Sequence, residues 1–540
     1  MLPPDEGRNA EVAREMKDSG AWLTPIYNGV TYLDKPAFYF KAVALSLAAF
    51  GDSETAARIP SAAFGLALLA LLYAFCRREH GARCAALAVI MVASMPLFIV
   101  NSRTVIFDMA LAFFTTAAIF AGYRAEESEG NARRAWYVVG AAASGFATLV
   151  KGPVGFLIPV LVLVVFNLVE RRKGALKRVF SPLNLLVFFA VVLPWFIGLS
   201  LTNPDFPYYG IVEESFHRFT TGQFRRAKPF YFYAIIVMGM FFPWSMLIPE
   251  ASFATWKQRW ARKPVDRLCI VWSVVVIIFF SLSRSKMPGY ILSTTVACGI
   301  LLARFFDSAL ADRNGKPART VWRAAFAVMA LCIAAVIVAA FLTTRTAMLS
   351  HPLGLPDGTD TEPLKHQITT PIIAFLVLLP FGLLAIYRRD VRLCLACFIL
   401  VPLLMFHASH PILNVVYEAK SAREIAQLIP KLPPQTEVTC LECLPIGLQF
   451  YLRRTVTVIT KDGGELSSNY VLFHLKSEKK WPACLVPSEE GDRWLAEQNH
   501  PVYLLAREKN RPKLEALAAE RKATIQQLTP LYLGVLLPSR

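Results

Sequence analysis

Charge is scarce in this chain, and acid scarcer than base. Only 18% of the 540 residues are Asp, Glu, Lys or Arg, and 39 acids stand against 57 bases, a net charge of +18. A soluble globular protein of this length is more polar, so with 55% hydrophobic residues a soluble class is excluded. There is no basic soluble domain and no aromatic stacking platform, which argues against nucleic acid as the partner of the positive charge. The chain has no 20–50-residue repeat, no low-complexity tract and no recognisable nucleotide-sugar site. Residues 1–35 lack the long apolar core of a cleavable signal peptide. The ten cysteines are scattered, mostly inside apolar runs. Cys394 and Cys397 read as small packing residues. Cys440 and Cys443 lie in a polar tail as free or disulfide-bonded thiols, and Cys484 alone does not complete a zinc site.

What the chain does have is apolar runs of helix-spanning length. Twelve candidate spans lie near 58–76, 84–100, 104–123, 135–150, 153–169, 183–202, 230–249, 268–283, 287–305, 321–343, 371–387 and 391–407. The loops at 77–83, 124–134, 170–178, 251–267, 304–323 and 388–392 hold 24 Lys and Arg. The intervening ones at 101–103, 151–152, 203–229, 284–286 and 344–370 hold 10. The positive-inside rule puts the first set in the cytoplasm and the second set outside, together with the tail from about 408. Parity then requires residues 1–57 to lie outside as well. "PAFYFKAVALSLAAF" (36–50) is only 15 residues long and carries Lys41, so it reads as an interfacial helix. A polar segment crossing the membrane with no apolar helix ahead of it suggests that a first span is missing upstream. An in-frame apolar segment in the genomic DNA supports this expectation, and a stop codon just before Met1 sinks it.

The external loops concentrate the polar chemistry. "DEGRNAEVAREMKDSG" mixes acids and bases on a helix-like stretch, and "YLDKPAFYF" sets Asp34 and Lys35 before the interfacial helix. Asp108 lies inside an apolar span near its outer end, and Lys151 sits at an outer turn. "VEESFHRFTTGQFRRAKPFYFY" holds Glu213, Glu214, His217, Arg218, Arg225, Arg226 and Lys228. "SRSKMPGYIL" holds Arg284, Lys286 and Tyr290. Taken singly, most have bland explanations. Lys and Arg snorkel at span ends, aromatics such as Tyr39, Trp195 and Trp244 form interface belts, and carboxylates offset helix dipoles. Asp108 stands apart, because a carboxylate within a span is expensive. Together they suit a substrate with a phosphate: cations bind it and stabilise the charge growing on the leaving group, while a carboxylate orients or deprotonates the acceptor.

These stretches, with "RIPSA", "FDMALAFF", "LVKGPVGFLIP", "LPWFI" and "HRF…KPFYFY…FFPW", resemble the C-type membrane glycosyltransferases, the family of the protein O-mannosyltransferases and the aminoarabinose–lipid A transferases. The resemblance runs from residue 5 to about 305, and from there to 407 only hydropathy matches. It implies Asp5, Glu6 and Asp34 as catalytic candidates, and the reading of the outer loops adds Asp108. It implies Arg8, Lys35 and Tyr290 as lipid-phosphate-binding candidates, Lys35 foremost, and the outer-loop cations add Lys151, Arg218 and Lys286. Where many members have Glu before Lys-Pro this chain has Asp34. Where members have "EH" before "RF" it has "ESFHRF", so Glu214 and His217 are weak metal candidates and a divalent metal is not established.

The expected fold is a polytopic all-α membrane protein with external interfacial helices and a small C-terminal α/β periplasmic domain. Its parts are 1–57, an external loop with the acidic motif; 58–407, the transmembrane glycosyltransferase domain; and 408–540, the C-terminal domain. In the last, "EVTCLECL", "VTVIT", "NYVLFHL", "PVYLLA" and "YLGVLL" read as β-like runs and 507–528 as a charged helix. The implied activity is inverting transfer of a sugar, with 4-amino-4-deoxyarabinose as one candidate, from undecaprenyl phosphate to lipid A or another envelope glycan. The bacterial inner membrane is the expected location, with the site periplasmic. Two alternatives stand beside it: a protein O-mannosyltransferase-like enzyme, and a lipid-linked sugar transporter or flippase. Transporters commonly show internal pseudo-repeats and midplane polar groups, and neither is evident here.

Overall fold

The computed structural model describes residues 5–217, 227–257, 263–345, 362–420, 422–429, 432–433, 435–476 and 481–539. The chain opens with a helix, α1 (Asp5–Ser19), a two-stranded hairpin of β1 (Ile26–Tyr27) and β2 (Val30–Thr31), and the interfacial helix α2 (Phe38–Phe50). The apolar helices follow, beginning with α3 (Glu54–His80). The Ser53 hydroxyl caps α3 by accepting from the Ala56 N–H at 3.1 Å, and Arg77, Arg78 and His80 suit the negative end of its dipole. Gly81, at φ +89°, ends it in a conformation few other residues adopt.

Among the described residues six helices are long and apolar enough to cross a membrane: α3, Pro182–Thr202, Pro264–Leu282, Thr294–Ala311, Lys316–Thr343 and Gln367–Tyr387. The expected single span at 84–100 is instead a pair, α4 (Ala82–Ser94) and α5 (Pro96–Ser102), bent by 70°, and it makes a seventh if counted as one. The break falls at Met95, which is extended ahead of Pro96, as the residue before a proline prefers. The run at 230–249 is also interrupted, into Phe232–Met240, a turn at Trp244–Met246 and a helix from Ile248, because Pro243 has no N–H to continue the ladder. The run at 104–123 becomes helical only at Asp108, where α6 (Asp108–Glu126) starts. It packs on α7 (Gly130–Lys151), which is followed by the 16-residue α8 (Val154–Val169). The last apolar helix runs from Val391 to Lys420.

The tail forms a six-stranded sheet: β3 (Glu437–Leu441), β4 (Thr457–Thr460), β5 (Leu485–Pro487), β6 (Val502–Arg507), β7 (Ile525–Thr529) and β8 (Tyr532–Leu537), in the order β5-β4-β3-β6-β8-β7. The first four are parallel, with Cys440 opposite Val458 and Leu505; β8 and β7 add antiparallel pairs. Strands covered on both faces read as continuous apolar runs, which is why β3, β4, β6 and β8 stand out in the sequence. "NYVLFHL" does not become a strand: Tyr470–Leu475 is helical, because the Asn469 and Tyr470 N–H groups are taken by a side chain rather than by a neighbouring strand. The charged helix is shorter than the expected 507–528: it runs from Arg511 to Glu520, and the end of that stretch is strand β7, paired with β8.

The N-terminal segment and the C-terminal domain share one core. Ala10, Val12, Met16 and Tyr27 pack in the same cluster as Val438, Leu448, Val456 and Tyr470. A Cβ on Gly7 would lie 3.0 Å from the Gly447 backbone, so the two segments touch main chain to main chain. Asn28, buried and at φ +54°, donates from Nδ2 to the Val456 carbonyl at 2.8 Å and accepts the Val456 N–H at 2.9 Å. The Glu15 carboxylate fixes this turn by accepting from the N–H groups of Asn28 and Gly29 at 2.7 and 3.0 Å. Asn28→Ala leaves both Val456 groups unpaired and is expected to cost about 2–4 kcal/mol. A lowered melting temperature in detergent, with faster proteolysis between the membrane helices and the C-terminal domain, checks this.

A charged candidate site between the N-terminal helix and the C-terminal domain

Eleven of the fifteen residues of α1 are buried although few are apolar, so its charges have to be met inside the protein. Asp5 pairs with Arg8 one turn on at 2.6 Å. Arg8 also donates to the Ser467 carbonyl at 2.8 Å and lies 5.6 Å from the centre of the Tyr32 ring. Glu6 is held by both arms of Arg58, at 2.7 and 3.0 Å, and accepts the Val105 N–H at 3.3 Å. Asn9 donates to the Val105 carbonyl at 2.8 Å. The loop that leads to Asp108 is thereby fixed to α1.

Asp34 is met by three donors. Its Oδ1 accepts from the Tyr209 hydroxyl at 2.6 Å and the Tyr470 N–H at 2.9 Å, and its Oδ2 from the Asn469 N–H at 2.8 Å. Burial, and then the nearby Glu214 carboxylate, push the Asp34 carboxyl up, while Tyr209, Lys35 and the Asn469 N–H pull it back. Lys35 donates to the Asp34 carbonyl at 2.6 Å and pairs with Glu214, whose other oxygen accepts from Asn469 Nδ2 at 2.9 Å.

A second group lies where α6 begins. Asp108, at the positive end of α6, pairs with Lys151 at the negative end of α7, so both dipoles favour the charges they face. The Lys151 ammonium sits 4.2 Å from the centre of the Tyr290 ring. A Cβ on Gly289 would come within 2.8 Å of the Asp108 carboxyl, so only glycine lets this loop approach. Tyr39 links the groups: burial, followed by the carboxylates of Glu6 and Asp108, raises its phenol pKa. Its hydroxyl lies 2.5 Å from Ser61 Oγ.

Asp5, Arg8, Asp34, Lys35 and Glu214 thus cluster around the 467–470 segment, Glu6 is turned to Arg58 and Val105, and Asp108, Lys151 and Tyr290 form a further set. Lys286 is buried and donates to the carbonyls of Lys228, at 3.0 Å, and Ser283; burial lowers its pKa. Arg218, Arg225 and Arg226 lie outside the described residues. Tyr39, Trp195 and Trp244 are not an interface belt: all three are buried, and the indoles donate inward to the Leu23 carbonyl and Ser94 Oγ, each at 3.0 Å. The ten cysteines, Cys440 and Cys443 included, are free. Glu214 is engaged by Lys35 and Asn469, and among the described residues no three His, Cys, Asp or Glu side chains are grouped so as to hold an ion. Sequence reasoning quoted Arg58 within "RIPSA" without giving it a role, and it missed Tyr209, Ser467, Asn469 and Tyr470. Only Arg58 carried a signal, as a basic residue near the start of α3.

Residues 6–209 match the family model described as dolichyl-phosphate-mannose-protein mannosyltransferase. An undecaprenyl phosphate-alpha-4-amino-4-deoxy-L-arabinose arabinosyl transferase from Edwardsiella ictaluri is 29% identical over 508 residues, 92% of this chain and 87% of that protein. A similarly named transferase 2 from Pseudomonas fluorescens is 30% identical over 314 residues, 57% of this chain but only 52% of its own length, so the match spans about half of that relative. The crystal structure of ArnT from Cupriavidus metallidurans bound to undecaprenyl phosphate superposes with a TM-score of 0.82 at 26% identity, covering 99% of this chain and 94% of that one. Residues 6–209 thus carry a domain of this glycosyltransferase family, and the chain as a whole is similar to these transferases in sequence and fold. The family model takes in the Glu6–Arg58, Asp34–Tyr209 and Asp108–Lys151 pairs and stops short of Glu214, Lys286, Tyr290 and Asn469.

Glu6 and Asp5 are neighbours with different surroundings. Glu6→Gln weakens a pair whose carboxylate is buried and whose Arg58 is 32% exposed. The expected cost is about 2 kcal/mol, below the ~3–5 kcal/mol of a fully buried pair. Asp5→Asn leaves Arg8 its bond to Ser467, so its melting temperature should fall by less. Melting curves of the two variants side by side check the difference.

Proposed function

We propose that this protein is an inverting glycosyltransferase that moves a sugar from undecaprenyl phosphate to lipid A or another envelope glycan. The observation that carries the reading is the gathering of Lys35, Arg8 and Asp5 under the C-terminal domain, in a chain that superposes almost end to end on a transferase solved with undecaprenyl phosphate. In this reading Lys35 and Arg8 bind the carrier phosphate, with Lys151, Lys286, Tyr290 and Arg218 as further contacts. The bond from the sugar carbon to the phosphate oxygen breaks and its electron pair stays on the phosphate. The acceptor oxygen bonds to that carbon from the opposite face and its proton passes to Asp5. Glu6 and Asp34 hold the frame through Arg58 and through the 469–470 backbone. Asp108 holds Lys151 in place.

The names of the relatives favour 4-amino-4-deoxyarabinose as the sugar. The family description favours a second reading, transfer to protein hydroxyls. We place residues 1–57 and the C-terminal domain, from about 408, on the periplasmic side of the bacterial inner membrane around a 58–407 membrane domain. Mass spectrometry of lipid A from cells with and without the gene tests the function. A pentosamine added to lipid A is expected, and it should vanish on deletion and with Asp5→Ala. Unchanged lipid A in cells that contain the protein removes that acceptor, and labelled sugar appearing in protein instead establishes the second reading.

A further inference from the structure

The Lys35–Glu214 pair raises a question that the phosphate-binding reading of Lys35, on which this inference rests, does not answer. A lysine meant for a phosphate is already held by a carboxylate. The Lys35 and Glu214 side chains are 13% and 6% exposed, so the pair is largely shielded from water and is not a screened surface contact. Glu214 is in turn aimed by Asn469, whose Nδ2 donates to it at 2.9 Å while its backbone N–H donates to Asp34 Oδ2 at 2.8 Å. Asn469 is therefore tied to Asp34 directly and to Lys35 through Glu214, from a position 435 residues beyond Asp34 in the chain.

The carrier changes charge during the proposed reaction. A sugar-linked phosphate is a diester with one negative charge, and the spent carrier is a monoester with about −1.5 to −2 at neutral pH. The product thus binds a lysine more tightly than the donor does, and its release limits turnover unless something takes the lysine back. We propose that Glu214 is a resident competitor for the carrier phosphate at Lys35, set in position by Asn469 of the C-terminal domain, so that this domain governs release of the spent carrier. Lys35 passes between two anions and is never left as a bare ammonium in a poorly hydrated site. Glu214 is a positioning residue here, since it acts on the phosphate through Lys35.

The test measures binding of undecaprenyl phosphate to the full chain in detergent, alongside steady-state kinetics with the lipid-linked donor. Glu214→Gln is expected to bind undecaprenyl phosphate about tenfold more tightly, the size of losing one charged competitor, with lower KM and lower kcat. A folded Glu214→Gln protein that binds no more tightly than wild type overturns the proposal. Asn469→Ala, which keeps the Lys35–Glu214 pair chemically intact, should shift affinity in the same direction; a fall in melting temperature with unchanged affinity reduces Asn469 to domain glue and overturns its role. The gain should disappear in Lys35→Ala/Glu214→Gln, and a gain that persists without Lys35 overturns the competition. A wild-type protein that fails to bind undecaprenyl phosphate at all defeats the carrier reading as well, whereas the variant outcomes bear on the competitor alone.

Discussion

The Asp34 carboxylate is the point on which the outer half of this protein turns. It is buried and accepts from Tyr209, Asn469 and Tyr470, groups supplied by two segments far from it in sequence. A buried carboxylate is tolerable only when such donors surround it, and here each donor also does structural work elsewhere. The 469–470 backbone starts the Tyr470–Leu475 helix, whose Tyr470 ring lies 5.3 Å from and nearly parallel to that of His474. The Tyr470 hydroxyl reaches Asp205 at 2.9 Å. Removing the carboxylate would leave backbone donors and a tyrosine hydroxyl without their acceptor at once, so the cost falls on the joint between membrane and C-terminal domains rather than on one side chain.

That joint explains why α1 is polar and yet buried. A helix packed against a membrane domain on one face and a sheet domain on the other has no solvent side on which to put its charges. Its residues answer one another within the helix, as Arg14 does with Glu11 and Asp18, each at 2.6 Å, or reach across to Arg58 and to the Asn28–Gly29 turn. Binary patterning therefore fails to describe it, and a hydropathy reading sees only a polar stretch that lies outside the membrane.

The same contrast runs through the whole chain. The apolar helices were legible because a membrane span writes itself as a continuous run, and the parallel strands because both their faces are covered. The breaks at Met95–Pro96 and near Pro243 were written in the sequence too, but hydropathy windows average over them. Asp5, Arg8, Asp34 and Lys35 stood out by motif. Their partners did not: nothing local in "SSNYVLFHL" marks Asn469 as a ligand of Glu214, because the contact is made by a domain placed more than four hundred residues downstream of α1. The β-like composition of that stretch pointed the other way, and tertiary hydrogen bonding to Asp34 overrode it.

One regularity of the site follows from electrostatics alone. Arg8 has Asp5, Lys35 has Glu214 and Lys151 has Asp108, so three of the cations suited to a phosphate each come with a carboxylate of their own. In a site walled by apolar helices an uncompensated cation is costly, and burial favours its loss of charge, as the lowered pKa of Lys286 among carbonyls illustrates. A carboxylate partner offsets the charge of each ammonium or guanidinium while no ligand is present. It also makes ligand binding an exchange of anions, not the filling of a vacant cation, so affinity depends on how much better a phosphate fits than the resident carboxylate. Two of these carboxylates sit on the same helix or helix pair as their cations. Glu214 is the one whose position depends on the C-terminal domain, which makes it the pair through which that domain can act on the chemistry.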